Sequence, residues 1–229
     1  MATDAYRRMA RLYDRVVEPA ASALRREGLE VVPPREGISI LDVGCGTGTQ
    51  LELYRRPGCR LAGIDLSPAM VAEAQRKLGD AADIRCEDAT RTAHETAAFD
   101  LVMLVTVLHE LTPELRRPVL DECRRVMKSD GQLLVMDYHP GPYPFPRGWA
   151  FKGIITFMEL LGGRSHFRHY RDYLRAGALD GLLGGSGLRV VSRHVTPSGT
   201  AAVHVLEHEP VVATAAAPVE EQEPLGARA

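Results

Sequence analysis

The sequence predicts an α/β protein built on a mostly parallel sheet with helices on both faces, and three observations predict it. Residues 38–54 run from apolar Ile38, Ile40, Leu41 and Val43 through Gly44, Gly46 and Gly48 into Leu51, Leu53 and Tyr54, a strand that passes through a glycine turn into a helix. Residues 99–106 (FDLVMLVT) are almost continuously apolar, as a central parallel strand covered on both faces requires. The apolar stretch 60–65 ends in Asp65, at the strand edge where open parallel sheets bind ligands.

Composition narrows the classes. A chain of 229 residues accommodates one core-forming domain with additions. A formal charge of -2 and a pI near 6.5 argue against a nucleic-acid binder that works by neutralising phosphates. Arginines interleaved with acids, as at Arg116-Arg117 and across Asp121, Glu122, Arg124 and Arg125, read as solvated helix faces. Cys45, Cys59, Cys86 and Cys123 have no metal-ligand spacing and read as reduced, buried thiols of a cytoplasmic protein. Asp4, Arg7, Arg8, Arg11 and Asp14 precede any apolar run, so the N-terminus is not a secretory signal. No apolar run spans a bilayer, while peripheral membrane contact stays open.

The elements follow in order. Residues 4–28 place Tyr6, Met9, Ala10, Tyr13, Val16 and Val17 at helical spacing, either as a packing helix or as a lid, and Pro33-Pro34 then breaks the chain. In the glycine turn, glycine permits the sharp bend, and its missing β-carbon lets a ligand lie against the backbone. A dinucleotide site wants a small residue three positions after Gly46; that position is Thr49, and no phosphate loop follows. Residues 60–65 form a second strand, whose Asp65 either receives ribose hydroxyls or caps the helix begun at Pro68. Residues 84–90 form a third strand ending in Asp88, a ligand contact, an N-cap, or both. The fourth strand, 99–106, leads into His109-Glu110, a polar pair at the sheet's ligand edge. A helix over 113–128 turns Leu115, Val119, Leu120, Cys123 and Val126 inward, residues 129–131 end it, and residues 131–138 form a fifth strand. Residues 139–149 form a loop rich in proline, glycine and aromatics; such loops commonly carry function. Residues 149–161 form a strongly apolar helix, packed on the core or facing a substrate or membrane surface. Beyond residues 164–175 and a helical stretch at 179–183, residues 188–195 and 201–207 are closing strands joined at Pro197-Ser198-Gly199. The Ala-, Pro- and Glu-rich tail after Pro210 is disordered by composition.

The run Asp42-Val43-Gly44-Cys45-Gly46-Thr47-Gly48 resembles motif I of the class I S-adenosylmethionine-dependent methyltransferases of the type 11/25 kind. The resemblance covers Tyr6 to His208. It implies a Rossmann-like, seven-stranded, mostly parallel sheet with a C-terminal antiparallel hairpin. It divides the chain into an N-terminal helical lid (1–36), a methyltransferase domain (37–208) with its substrate side at 139–186, and a tail (209–229). It implies S-adenosylmethionine as cofactor, with Tyr6 and Tyr13 in the covering segment and Asp42, Gly44, Cys45, Gly46 and Gly48 around the glycine loop. Asp65 would receive the ribose, while Leu66 and Met70 would flank the adenine, although Met70 is equally a core position. Asp88 and the amide of Ala89 would meet the adenine edge, and Thr106 ends strand four beside the ligand.

Residues 170–188 and 199–207 look like the end of the ubiquinone/menaquinone-biosynthesis C-methyltransferases, which act on long-tailed aromatic quinols. That subfamily carries an Arg-Asn pair where this chain has His109-Glu110. The implied reaction is methyl transfer to a small, apolar or lipid-like acceptor: a quinol, phenol or amine. His109 is the first candidate for the base, because an unperturbed histidine titrates at about 6.5. His139 is the second, and Glu110 orients the histidine or binds the acceptor; the alternative is that His109 only packs. Two other classes are an inactive S-adenosylmethionine-binding regulator or partner subunit, and a nicotinamide-dependent oxidoreductase, which Gly48 and Thr49 disfavour.

Overall fold

The computed structural model describes residues 18–210, so Tyr6, Tyr13 and the tail beyond Pro210 lie outside the described residues. The chain runs α1 (Glu18–Val31), β1 (Ser39–Val43), α2 (Thr49–Leu53), β2 (Arg60–Asp65), α3 (Pro68–Leu78), β3 (Ala82–Cys86), β4 (Phe99–Val105), α4 (Pro113–Val126), β5 (Met127–Tyr138), α5 (Arg147–Leu161), α6 (Arg164–Arg175), β6 (Leu188–Val195) and β7 (Ala201–His208). One seven-stranded sheet has the order β3-β2-β1-β4-β5-β7-β6. The first five strands pair in parallel, and β7 enters antiparallel between β5 and β6.

Strand alternation divides the core into two layers. Leu41, Val102, Leu133 and Leu206 face one side with Val119, Leu120 and Cys123 of α4 and Tyr173 of α6. Ile40, Leu101, Leu134 and Val205 face the other with Leu51 of α2, Val71, Ala74 and Leu78 of α3, and Val32. The sheet order reverses between β1 and β4, which opens a crevice at the strand ends, where Asp42, Asp65 and Thr106 sit.

Several expectations shift. The first helix continues through Gly28 to Val31, and Gly28 lies so close to the sheet that a β-carbon there would stand 2.3 Å from Sδ of Met136. The third strand covers Ala82–Cys86, leaving Asp88 in the loop after it. Residues 129–131 do not end a helix: α4 stops at Val126 and β5 begins at Met127, with a register shift between Phe99 and Leu101 absorbing the extra residues. Cys86 is exposed and Cys59 half-buried, so only Cys45 and Cys123 are buried thiols.

Arg116 is not solvated. It is 1% exposed, and its Nε and Nη2 donate to the carbonyls of Leu108 (3.1 Å) and His169 (2.7 Å), tying α4 to the loop after β4 and to α6. Glu122 is buried as well, accepting from Thr92 and Arg125. Leu115, expected in the core, is half exposed and lines the crevice. The apolar helix α5 buries only Gly148 and Glu159, while Trp149, Phe151, Ile154, Phe157, Leu160 and Leu161 face outward.

Candidate active site

A cavity of about 470 Å³ occupies the crevice. Of the residues expected around the cofactor, Asp42, Gly44, Cys45, Gly46, Asp65, Leu66, Met70, Asp88, Ala89 and Thr106 line it. Gly48 does not. It has φ +77, and a β-carbon there would stand 2.8 Å from Cδ1 of Leu78, so this glycine lets the turn pack against α3. Gly46 has φ +53 with open space where a side chain would be, which leaves its backbone accessible to a ligand.

The loop is fixed from the neighbouring strand. Asp65 accepts the amide of Gly46 on Oδ2 (2.9 Å) and that of Ser67 on Oδ1 (2.8 Å). Ser67 in turn caps α3 by accepting the amide of Met70. Four lone-pair sites on a carboxylate leave Asp65 capacity for ligand hydroxyls. Asp88 accepts the amide and hydroxyl of Thr90 on Oδ1, both at 2.8 Å, and still lines the cavity, so its turn role and a ligand role coexist. Leu66 is 72% exposed at the cavity rim, an apolar side chain largely open among the described residues. Thr106 adopts φ +56, rare for a β-branched residue, at the point where β4 gives way to the loop.

Two buried polar atoms at the cavity lack partners among the described residues. Asp42 Oδ1 is an unmatched acceptor and Gln50 Nε2 an unmatched donor. Burial raises the Asp42 carboxyl to about 7, with Arg25 opposing and Asp65 adding to the shift. A buried acceptor and a buried donor at one end of a cavity suit a ligand that carries both an ammonium and a carboxylate, as S-adenosylmethionine does. Gln50 and Arg25 were missed by the sequence reading. Gln50 had a signal, as the one amide on the helix turn after the glycine loop; Arg25, on a helix distant in sequence, had none.

Comparison with known proteins decides between a nucleotide crevice in general and one kind of enzyme. Residues 41–135 match the family described as "Methyltransferase domain". The chain is 29% identical over 189 residues to a demethylmenaquinone methyltransferase from Beutenbergia cavernae, covering 79% of this chain and 78% of the relative. This protein is a class I S-adenosylmethionine-dependent methyltransferase. A ubiquinone biosynthesis O-methyltransferase from Xanthomonas axonopodis pv. citri is likewise 29% identical, over 73% of this methyltransferase and 71% of the relative. The fold is shared with an S-adenosylmethionine-dependent methyltransferase from Aquifex aeolicus (TM-score 0.59, 18% identity, 86% of this chain and 97% of that one). The cofactor of the methyltransferase is S-adenosylmethionine.

The catalytic candidates part company. Glu110 lines the cavity; His109 and His139 do not. His109 turns the other way and is buried, its Nδ1 2.7 Å from Oδ1 of Asp137 and its ring stacked obliquely on Tyr138, with centroids 4.5 Å apart. Asp137 also accepts the amides of Leu108 (2.9 Å) and His109 (3.3 Å). Burial alone would lower the imidazole, but Asp137, Glu110 and Glu159 outweigh it and raise His109 to about 9. His109 therefore faces away from the cavity, and of the three candidates Glu110 alone lines it. His139 accepts the amide of Gly141 (3.2 Å) beside the carbonyl of Gly199 and holds the loop after β5. The partners of His109, namely Asp137, Glu159 and His166, were not foreseen, because they come from elements well beyond His109 in the chain.

Proposed function

We propose that this methyltransferase acts on a small, apolar or lipid-like acceptor of the quinol, phenol or amine kind. The observation that carries the proposal is the outward apolar face of α5, continued by Phe145, which is 85% exposed. The inner side of α5 packs behind the site: Oε1 of Glu159 lies 3.8 Å from Nε2 of His109, which turns away from the cavity that its neighbour Glu110 lines. A second cavity of about 450 Å³, lined by Tyr143, Lys152, Phe167 and Tyr170, draws its walls from α5, α6 and the loop before α5. The names of the relatives, a demethylmenaquinone methyltransferase and a ubiquinone biosynthesis O-methyltransferase, support a quinol-like acceptor. No helix among the described residues is long and apolar enough to cross a membrane. Peripheral contact through α5 would bring a lipid-like acceptor to the crevice from a bilayer surface.

Within this reading Asp42 receives the ammonium, Gln50 the carboxylate, Asp65 the ribose hydroxyls and Asp88 the adenine amino group, with Leu66 against the ring. S-adenosylmethionine, when bound, supplies a methyl group made electrophilic by positively charged sulfur. The protein's part is then alignment, which contributes on the order of 7–11 kcal/mol in well-oriented reactions. Glu110 is the one of the three candidate catalytic groups that lines the cavity; in this reading it orients an O–H or N–H nucleophile and takes the single proton that leaves it.

The test begins with calorimetric titration of S-adenosylmethionine, S-adenosylhomocysteine and NADH, expecting micromolar binding of the first two only. Acceptors are then screened by mass spectrometry for a gain of one methyl. Turnover of quinols, phenols or lipid amines supports the proposal, with Glu110→Gln lowering kcat roughly 10²-fold or more at unchanged cofactor affinity. Turnover confined to polar, charged acceptors would overturn it.

A further inference from the structure

On the side of the β4–α4 loop away from the cofactor cavity, three side chains from three elements converge. His166 Nε2 of α6 lies 2.7 Å from Oε2 of Glu159 on α5. His109 Nε2, from the loop after β4, lies 3.8 Å from Oε1 of the same carboxylate. One donor atom from each residue falls within 4.8 Å of the other two. We propose that His109, Glu159 and His166 form a binding site for a divalent first-row transition-metal ion of the zinc class.

The donor set selects the class. Two imidazoles and one carboxylate suit zinc, cobalt, iron or nickel, whereas magnesium and calcium require mostly oxygen ligands. Three protein ligands leave at least one position open to water or a substrate atom, unlike the closed set of a structural site.

The surroundings orient the ligands as a metal site needs. Asp137 accepts from Nδ1 of His109 at 2.7 Å and is itself pinned by the backbone amides of Leu108, His109 and Tyr138, so Nε2 is directed at Glu159. A carboxylate behind a histidine is the usual outer support of a metal-bound imidazole, fixing its tautomer and raising its basicity. The hydroxyl of Tyr138 donates to Oε1 of Glu159 at 2.8 Å, fixing the carboxylate in the same way.

The packing of α5 makes the carboxylate conspicuous. This helix turns its aromatic and aliphatic side chains outward and Glu159, 5% exposed, inward. Asp137 and Glu159 bring two buried carboxylates to the cluster; with both imidazoles neutral, as metal ligation requires, a divalent ion balances their charge. The turn at Gly162-Gly163 folds α6 back so that His166 meets Glu159, and His166, the most exposed of the three side chains, provides the way in.

The full chain without a histidine tag, stripped with chelator, would be titrated calorimetrically with Zn²⁺, Co²⁺ and, as a control, Mg²⁺, with no S-adenosylmethionine present. One equivalent of Zn²⁺ or Co²⁺ is expected, with visible absorption from bound Co²⁺ and no heat from Mg²⁺. Glu159→Gln and His166→Ala are each expected to weaken binding at least 100-fold, and Asp137→Asn 10–100-fold. Circular dichroism of each stripped variant checks folding. Should a variant unfold, X-ray absorption of the Zn²⁺-loaded wild-type protein reads two imidazoles in the shell directly. Four results would overturn the site: no saturable one-to-one binding by folded protein, equal binding of Mg²⁺, binding unchanged in Glu159→Gln and His166→Ala, or a shell without two imidazoles. Because cofactor and acceptor are both left out, these outcomes are independent of whether the acceptor reading holds.

Discussion

Asp65 Oδ2 accepts the backbone amide of Gly46 at 2.9 Å, so the acid at the end of β2 holds the glycine loop as well as facing the cofactor cavity. Its other oxygen holds Ser67 at the start of α3. Asp65→Asn keeps the shape but loses charge-assisted bonding, and we expect S-adenosylmethionine affinity to fall roughly 10–100-fold, from lost bonds worth about 1.5–3 kcal/mol. Calorimetric titration reads this; unchanged affinity would remove Asp65 from the binding site.

Asp42 provides a pH signature. Its carboxyl is raised from 3.8 to about 7, mainly by burial. The folded unliganded protein therefore binds this proton more tightly than the unfolded chain does, and its stability falls as pH rises from about 4 through 7. Asp42→Asn should stabilise the unliganded protein above pH 7 by roughly 1–3 kcal/mol, visible as a higher Tm. Wild-type affinity for S-adenosylmethionine should climb as pH rises through 7, because the ionised carboxylate is the better acceptor for an ammonium. Asp42→Asn should bind weakly with a flat profile.

The glycines of the loop should respond differently to alanine. Both Gly46 and Gly48 have positive φ, but a β-carbon at Gly46 meets open cavity and one at Gly48 meets Leu78 and Ala74. Backbone strain of about 1–2 kcal/mol applies to both. Gly48→Ala adds crowding and should show the larger loss of Tm, whereas Gly46→Ala should lose more cofactor affinity than stability. Equal effects on stability and affinity at the two positions would contradict the geometry.

Arg116 should prove structural. It is buried, donates to the carbonyls of Leu108 and His169, and lies over the ring of Tyr173 at 5.3 Å. Arg116→Ala leaves two carbonyls without partners and opens a cavity, a loss of roughly 3–5 kcal/mol in chemical denaturation. A change below 1 kcal/mol would mean that the loop after β4 is held by other contacts.

The face of α5 is testable without touching the cofactor site. Phe151→Ser with Phe157→Ser should leave S-adenosylmethionine affinity within about 2-fold, since neither residue lines that cavity. The same pair should raise KM for apolar acceptors several-fold, each buried aromatic contributing on the order of 1.5–3 kcal/mol when fully covered. An unchanged KM would separate this face from acceptor binding.

Much of the fold was legible along the chain, and so were many of the residues that line the crevice. The limits of β2 and β6 agree with those expected, and that of β7 differs by one residue, because alternating or continuous apolar runs between turn residues carry strand information locally. The glycine loop, Asp65, Leu66 and Asp88 were legible because one strand–turn–helix unit and the ends of neighbouring strands bring them together within short stretches of sequence. Pairing across the sheet was not legible in this way. The shifted register between β4 and β5 absorbs residues 127–131 into a strand where local signals gave a helix end and a glycine turn.

The sequence by itself determined the α/β class and the ligand edge, since hydrophobic period and glycine spacing are local properties. Only the tertiary structure decided which way neighbouring side chains point. Glu110 faces the cofactor cavity while His109, one residue earlier, turns to Asp137, Glu159 and His166. Arg116 is drawn inward by two carbonyls, and α5 turns its carboxylate in and its aromatics out. The reason is physical: a buried charge is tolerable only where partners converge, and the partners come from β4, β5, α5 and α6, whose meeting is set by long-range packing.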